Sequence, residues 1–147
     1  MGGKGLLALS VALTATLGGC ERPPPFAGRQ IDGPYYLTAS ILSPSAGRLI
    51  CYRLQSGGCD ARIAPPVVLL GWDEDFISAA IRPVGEPKTL RYFYIVRDFD
   101  GPRADIARVV RGPFDEKKFI EERRKHGVPG VFEIREAEAG APQPRAD

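Results

Sequence analysis

The sequence predicts an α+β domain: an antiparallel sheet of about six strands with one helix packed on it. Three observations lead there. Apolar residues alternate with period two through most of the central chain, as they do in half-buried strands. Seventeen Gly and 14 Pro among 147 residues supply many turns and argue against a helical bundle. A single segment, 115–127, carries a full set of helix start and stop signals.

The elements follow in chain order. Tyr35, Leu37, Ala39 and Ile41 share one face of a first strand. Ile50, Tyr52 and Leu54 share a face of the next, with Arg53 opposite. Val67–Trp72 is a continuous apolar run, as expected of a strand buried on both faces. Asp73-Glu74-Asp75 is a polar turn, after which Ile77, Ala79 and Ile81 line one side of a strand over 76–82. Pro83 and Pro87 bracket a further turn. Residues 90–97 are aromatic and β-branched, a good central strand. Asp98-Phe99-Asp100-Gly101-Pro102 turns the chain again. Ile106–Val110 is shorter and more polar, an edge strand, and Val131–Arg135 alternates as the last strand. In the helix, Asp115 is the N-cap, Phe114 and Phe119 form a hydrophobic staple, and Glu121 and Lys125 are spaced for an ion pair. Gly127 and Pro129 end it.

The amino end is read apart from the fold. Lys4 precedes an uncharged apolar run that ends in Leu17-Gly18-Gly19-Cys20. The run is shorter than the ~20 residues a membrane span needs, and its order is that of a secretory signal. Its end resembles the bacterial lipobox, which implies that Cys20 is lipidated with diacylglycerol, palmitate being a typical acyl chain, and that the chain is cut before it. Two or three acyl chains give stable anchoring. The expected organisation is a lipoprotein signal peptide over 1–19, a lipidated Cys and Pro-rich tether over 20–34, one domain over 35–136 and a disordered tail over 137–147. The expected location is the bacterial cell envelope. Glu21 after Cys20 is not the Asp that resembles an inner-membrane retention signal, which favours the outer membrane.

Two cysteines are left, Cys51 and Cys59, on either side of the turn signal Ser56-Gly57-Gly58. In an oxidising envelope they are expected to bond. With His126 they fall short of the four ligands of a structural zinc site. An Asp98-Phe99-Asp100 start is like that of a calcium loop, but its twelfth position is Val109 rather than Glu, so an Asp/Gly turn is expected. No metal and no cofactor is expected.

Twenty Lys and Arg against 18 Asp and Glu exclude a strongly basic nucleic-acid binder. No Gly-x-Ser-x-Gly elbow and no phosphate loop is present, Ser78 and Thr89 lack an activating context, and no catalytic residue is expected. Trp72, Asp73, Glu74 and Asp75 form a candidate partner contact, though a solvated hairpin turn is the plainer reading. Arg123-Arg124-Lys125-His126 complements the helix dipole and offers a second contact, with anionic lipid or glycan. Tyr36 and Tyr92, if exposed, are natural contact residues.

The order Asp32-Gly33-Pro34-Tyr35-Tyr36-Leu37, Gly71-Trp72, Tyr92–Val96, Gly112-Pro113-Phe114, Phe119 and Arg123 resembles a family of small uncharacterised bacterial lipoproteins defined only as a domain of unknown function. The resemblance covers about residues 31–132. It implies a lipid-anchored single-domain protein and no catalytic residue. Family members place Asn where this chain has Asp73. The leading expectation is a non-catalytic binding module held to the membrane by its lipid, with an envelope protein or glycan as partner. An immunity or inhibitor protein against an envelope-acting enzyme is the alternative, and a hydrolase with spatially assembled carboxylates the third reading.

Overall fold

The computed structural model describes residues 28–40 and 42–134, arranged as two antiparallel sheets and a helix layer. The first sheet has the order β1-β2-β3-β4, from β1 (Gly28–Asp32), β2 (Tyr35–Ala39), β3 (Arg48–Arg53) and β4 (Cys59–Ile63). The second is built from β5 (Val67–Trp72), β6 (Phe76–Ile81), β7 (Arg91–Val96), β8 (Val110–Phe114) and β9 (Phe132–Glu133), in the order β8-β7-β6-β5-β9. A one-turn helix, α1 (Ile106–Val109), leads into β8, and α2 (Glu116–His126) follows it.

The second sheet is the middle layer. One face contributes Val67, Leu70, Ile77, Ala79 and Ile95, which pack with Ile31, Tyr35, Leu37, Ile50 and Ile63 of the first sheet. The other face contributes Ala80, Tyr92 and Tyr94, which pack with Phe119 of α2 and with Val128. Tyr92 stacks on Phe119 with ring centroids 4.8 Å apart, and Tyr94 stacks on Phe114 at 5.9 Å. The expected alternation holds strand by strand: Ile77, Ala79 and Ile81 pack toward the first sheet, Phe76 and Ala80 toward the helix.

The architecture is therefore α+β in class, but one sheet of about six strands is corrected to two sheets of four and five. Alternation shows which face of a strand is apolar and not which strand lies beside it. Four local readings change as well. β1 occupies Gly28–Asp32, inside the stretch read as a tether, and pairs with β2 through a hairpin whose Gly33 takes φ +52°. β4 was not foreseen, because Asp60 and Arg62 mask its apolar side. The edge strand expected at Ile106–Val110 begins with a helical turn instead. The Asp105 carboxylate accepts from the Ala107 amide at 3.0 Å, which caps that turn, and the edge strand β8 starts only at Val110. The last strand is shortened to β9.

The helix matches its signals. The Asp115 carboxylate accepts from the Lys118 amide at 2.8 Å, Phe114 and Phe119 share one cluster, and Gly127 closes the helix in the left-handed conformation at φ +74°. One expectation changes: Glu121 pairs with Lys118 at 3.3 Å, one turn earlier, in place of the pair with Lys125 that its spacing suggested. Residues 1–27, Ile41 and 135–147 lie outside the described residues, and with them the readings made on Cys20, the signal and the tail.

Gly71 of β5 is where the chain returns from α2. A Cβ there would run into the Gly130 carbonyl oxygen, which is backbone and cannot swing aside. Gly71→Ala is expected to lower stability by roughly 2–4 kcal/mol, measured by urea denaturation, by forcing β5 away from the segment that leads into β9.

Candidate functional site

The densest gathering of polar side chains lies at the end of the domain where β1 turns into β2 and β5 into β6. β4 carries Arg62 inward between Ala61 and Ile63, and the turn after β7 brings Asp100 to it. The two side chains are 1% and 0% exposed. Arg62 Nε donates to both Asp100 carboxylate oxygens at 2.9 Å, and Nη2 donates to Asp100 Oδ1 at 2.9 Å and to the Gly101 carbonyl at 3.0 Å. Nη1 reaches the Asp60 carbonyl at 3.5 Å. The carboxylate also accepts from the Tyr35 hydroxyl at 2.9 Å and from the Gly101 amide at 2.7 Å.

Two rings and a second arginine extend the cluster. The Arg62 guanidinium lies 5.0 Å from the Tyr52 ring centroid, and Arg97 lies 5.6 Å from that of Tyr35. Arg97 Nη2 donates to Asp32 at 2.6 Å, and its Nη1 donates to the Asp73 carbonyl. The first sheet contributes Asp32, Tyr35, Tyr52 and Arg62, and the second contributes the Asp73 turn, Arg97 and Asp100. The cluster thus clasps one end of the inter-sheet core. Burial first, and the nearby Asp100 charge second, raise the Tyr35 hydroxyl above its usual pKa. Guanidinium and carboxylate satisfy each other, so what this constellation does chemically is hold two sheets in one register.

The acidic tip joins the same end. Trp72 is half-buried against the inter-sheet core. The Asp73 carboxylate accepts from the amides of Asp75 (3.0 Å) and Phe76 (2.8 Å), while the Asp73 amide donates to the Phe76 carbonyl. Asp73 is thereby spent on closing the turn, and Glu74 and Asp75 are exposed.

The cysteines meet as expected. Gly57 takes φ +91°, the Leu54 amide donates to the Gly58 carbonyl at 2.8 Å, and the hairpin sets Cys51 beside Cys59 in a disulfide with Cα atoms 5.6 Å apart. A loop this short is stabilised by roughly 2–3 kcal/mol on the chain-entropy view. Ser78 is fully buried, and its hydroxyl faces the carbonyls of Gly71 (3.3 Å) and Gly130 (3.4 Å). His126 lies 3.5 Å from Glu122 on the exposed side of α2. Arg123 donates to the Val128 carbonyl at 3.2 Å, satisfying the chain just past the helix end. Among the described residues, no three His, Cys, Asp or Glu side chains gather as a metal cluster.

Sequence reasoning missed Arg62 and Asp100 as partners. The signal for each was slight: an Arg beside Ile63 in a segment without alternation, and a second Asp in a Gly-Pro turn. Their 38-residue separation hid the pairing.

Breaking such a buried pair leaves one charge unpaired. Arg62→Met is expected to cost roughly 3–5 kcal/mol in urea denaturation, and adding Asp100→Leu should restore part of that loss. On the helix side, the Tyr94 hydroxyl donates to Glu122 at 2.9 Å. Burial first, then this bond, pushes Tyr94 up to about 12, and the same bond holds Glu122 below its ordinary value. Because the folded Tyr94 keeps its proton longer than the unfolded chain, its contribution is whole below pH 10 and lost as pH rises through about 12, roughly 2–3 kcal/mol in all. Tyr94→Phe should flatten that part of the alkaline stability profile measured by circular dichroism.

No protein-family model, no curated protein and no solved structure matches this chain, so its function is read from its own residues.

Proposed function

We propose that the protein is a lipid-anchored component of the bacterial cell envelope that works by binding, with an envelope protein or glycan as its partner and no catalytic step of its own. The observation that carries this reading is the Cys51–Cys59 disulfide across the β3–β4 hairpin, joined to the lipobox-like Leu17-Gly18-Gly19-Cys20. A structural disulfide belongs to an oxidising compartment, and a lipobox is the address of one. Two independent stretches of the chain thus support the same reading of its compartment.

The side chains support a binding role over a catalytic one. Arg62, Asp100 and Ser78, the polar groups buried deepest, are spent on partners inside the fold. The aromatic residues of the middle sheet are core: Tyr92 and Tyr94 are buried against α2 rather than offered to a partner. The solvent-facing carboxylates Glu74 and Asp75 are the contacts that the acidic tip offers such a partner. The motif likeness of residues 31–132 to small envelope lipoproteins points the same way.

The reading is tested in a bacterial host. Intact mass of the membrane-extracted protein should begin at Cys20 and carry acyl chains, and Cys51 and Cys59 should resist alkylation until reduced. Cys20→Ala should abolish incorporation of an alkyne-labelled palmitate and move the protein out of the detergent phase of a Triton X-114 partition. An uncut, unacylated chain with free thiols in the cytosol refutes the reading.

A further inference from the structure

The chain enters the fold at the end opposite the Arg62–Asp100 cluster. Gly28 pairs with Thr38, one step from the Ala39↔Arg48 rung that ends the first sheet. At this rim the two sheets touch. A Cβ on Gly47 would press on Pro66, and the Pro66 carbonyl accepts from the Arg82 amide at 3.3 Å. The Val67↔Ile81 and Ile81↔Arg91 rungs continue the rim along the second sheet.

Two loops project from it, 42–47 and 82–90. Each holds up one aliphatic side chain: Leu42 is 99% exposed and Val84 is 91% exposed. The charge around them is mixed with an excess of cations: Glu86 lies 3.6 Å from Arg91, and α2 starts at this rim, beside the Tyr92↔Phe114 rung, with Asp115 and Glu116. Arg82, Lys88 and Arg91 are exposed, and Arg48 stands at the start of β3. Aliphatic tips set among cations are the make-up of a surface that rests on anionic headgroups, the cations at phosphate level and the tips at the acyl boundary.

The chain outside the described residues says what lies opposite. Only seven residues, 21–27, separate Cys20 from Gly28, and three of them are Pro. Even fully extended, that segment spans less than about 30 Å. A lipid on Cys20 therefore attaches at this rim and keeps it within about 30 Å of the bilayer, and the rim's own side chains must supply the orientation. The Arg123–His126 cluster lies away from it, since α2 runs from the Tyr92 rung toward Tyr94 and the far end.

We propose that the rim formed by Leu42, Val84, Arg82, Lys88 and Arg91 docks on an anionic phospholipid surface, orienting the Trp72–Asp75 end outward. The docking rests on the lipid-anchor reading of Cys20. It turns a tether into a fixed orientation, with the acidic tip presented to a partner.

Trp72 serves as a built-in reference, because β5 carries it about 17 Å from the rim. The membrane-extracted, full-length chain and its Leu42→Trp and Val84→Trp variants are reconstituted in vesicles of phosphatidylglycerol and phosphatidylcholine with brominated acyl chains. The added emission of each variant should fall by about half, while the wild-type Trp72 emission is unchanged. Vesicles of phosphatidylcholine alone, high salt, or combined Arg82→Glu, Lys88→Glu and Arg91→Glu substitutions should restore it. Reversal at Arg124 and Lys125 should not. If intact mass shows the acyl chains but the new tryptophans are unquenched, the docking is wrong and the anchor stands. If the mass shows no acyl chain, the anchor reading fails and the docking falls with it. Equal quenching of Trp72 also overturns the docking, since the domain then has no fixed orientation.

Discussion

Side chains of β5, β6 and β7 are apolar on both sides, and water must be kept from each side by a different layer. Ile77, Ala79 and Ile95 on one face, and Ala80, Tyr92 and Tyr94 on the other, are all buried. At about 1.5–3 kcal/mol for each large side chain removed from water, neither face tolerates exposure. The first sheet covers one and α2 covers the other. β8 and β9 flank the middle sheet on its two edges.

That layering explains where the polar chemistry sits. Between two sheets the core is closed on its sides but open at its ends. At one end the gap is closed by the Arg62–Asp100 pair with Tyr35 and Arg97, which ties four strands and two turns together. A buried ion pair of this kind specifies an arrangement more than it stabilises it, because desolvation offsets much of the attraction. At the other end the sheets meet through Gly47 and Pro66, and short loops carry Leu42 and Val84 into solvent. The two ends thus differ in kind: one is a satisfied network beside an acidic turn, the other a basic rim with aliphatic tips.

This polarity gives the functional reading its direction. The first described strand begins at the rim that carries Leu42 and Val84, the disulfide lies on the first sheet between β3 and β4, and Trp72–Asp75 occupy the far end. In the proposed lipid-anchored reading, the short proline-rich segment limits how far the domain strays from a membrane, and the rim supplies the contact that orients it.

Much of this was legible without the fold. Period-two patterning marked the strands from 35 to 97 and their faces, the Asp115 and Gly127 caps bounded α2, and Ser56-Gly57-Gly58 set Cys51 against Cys59, because these are local signals read within a few residues. β1 and β4 were not legible: Arg29, Gln30, Asp60 and Arg62 break the apolar pattern, and such segments become strands only when a neighbour offers its free amides and carbonyls. The division into two sheets and the pairing of Arg62 with Asp100 were decided by tertiary structure alone. Each joins residues dozens of positions apart, and no local preference encodes which distant surface a buried face or charge will find.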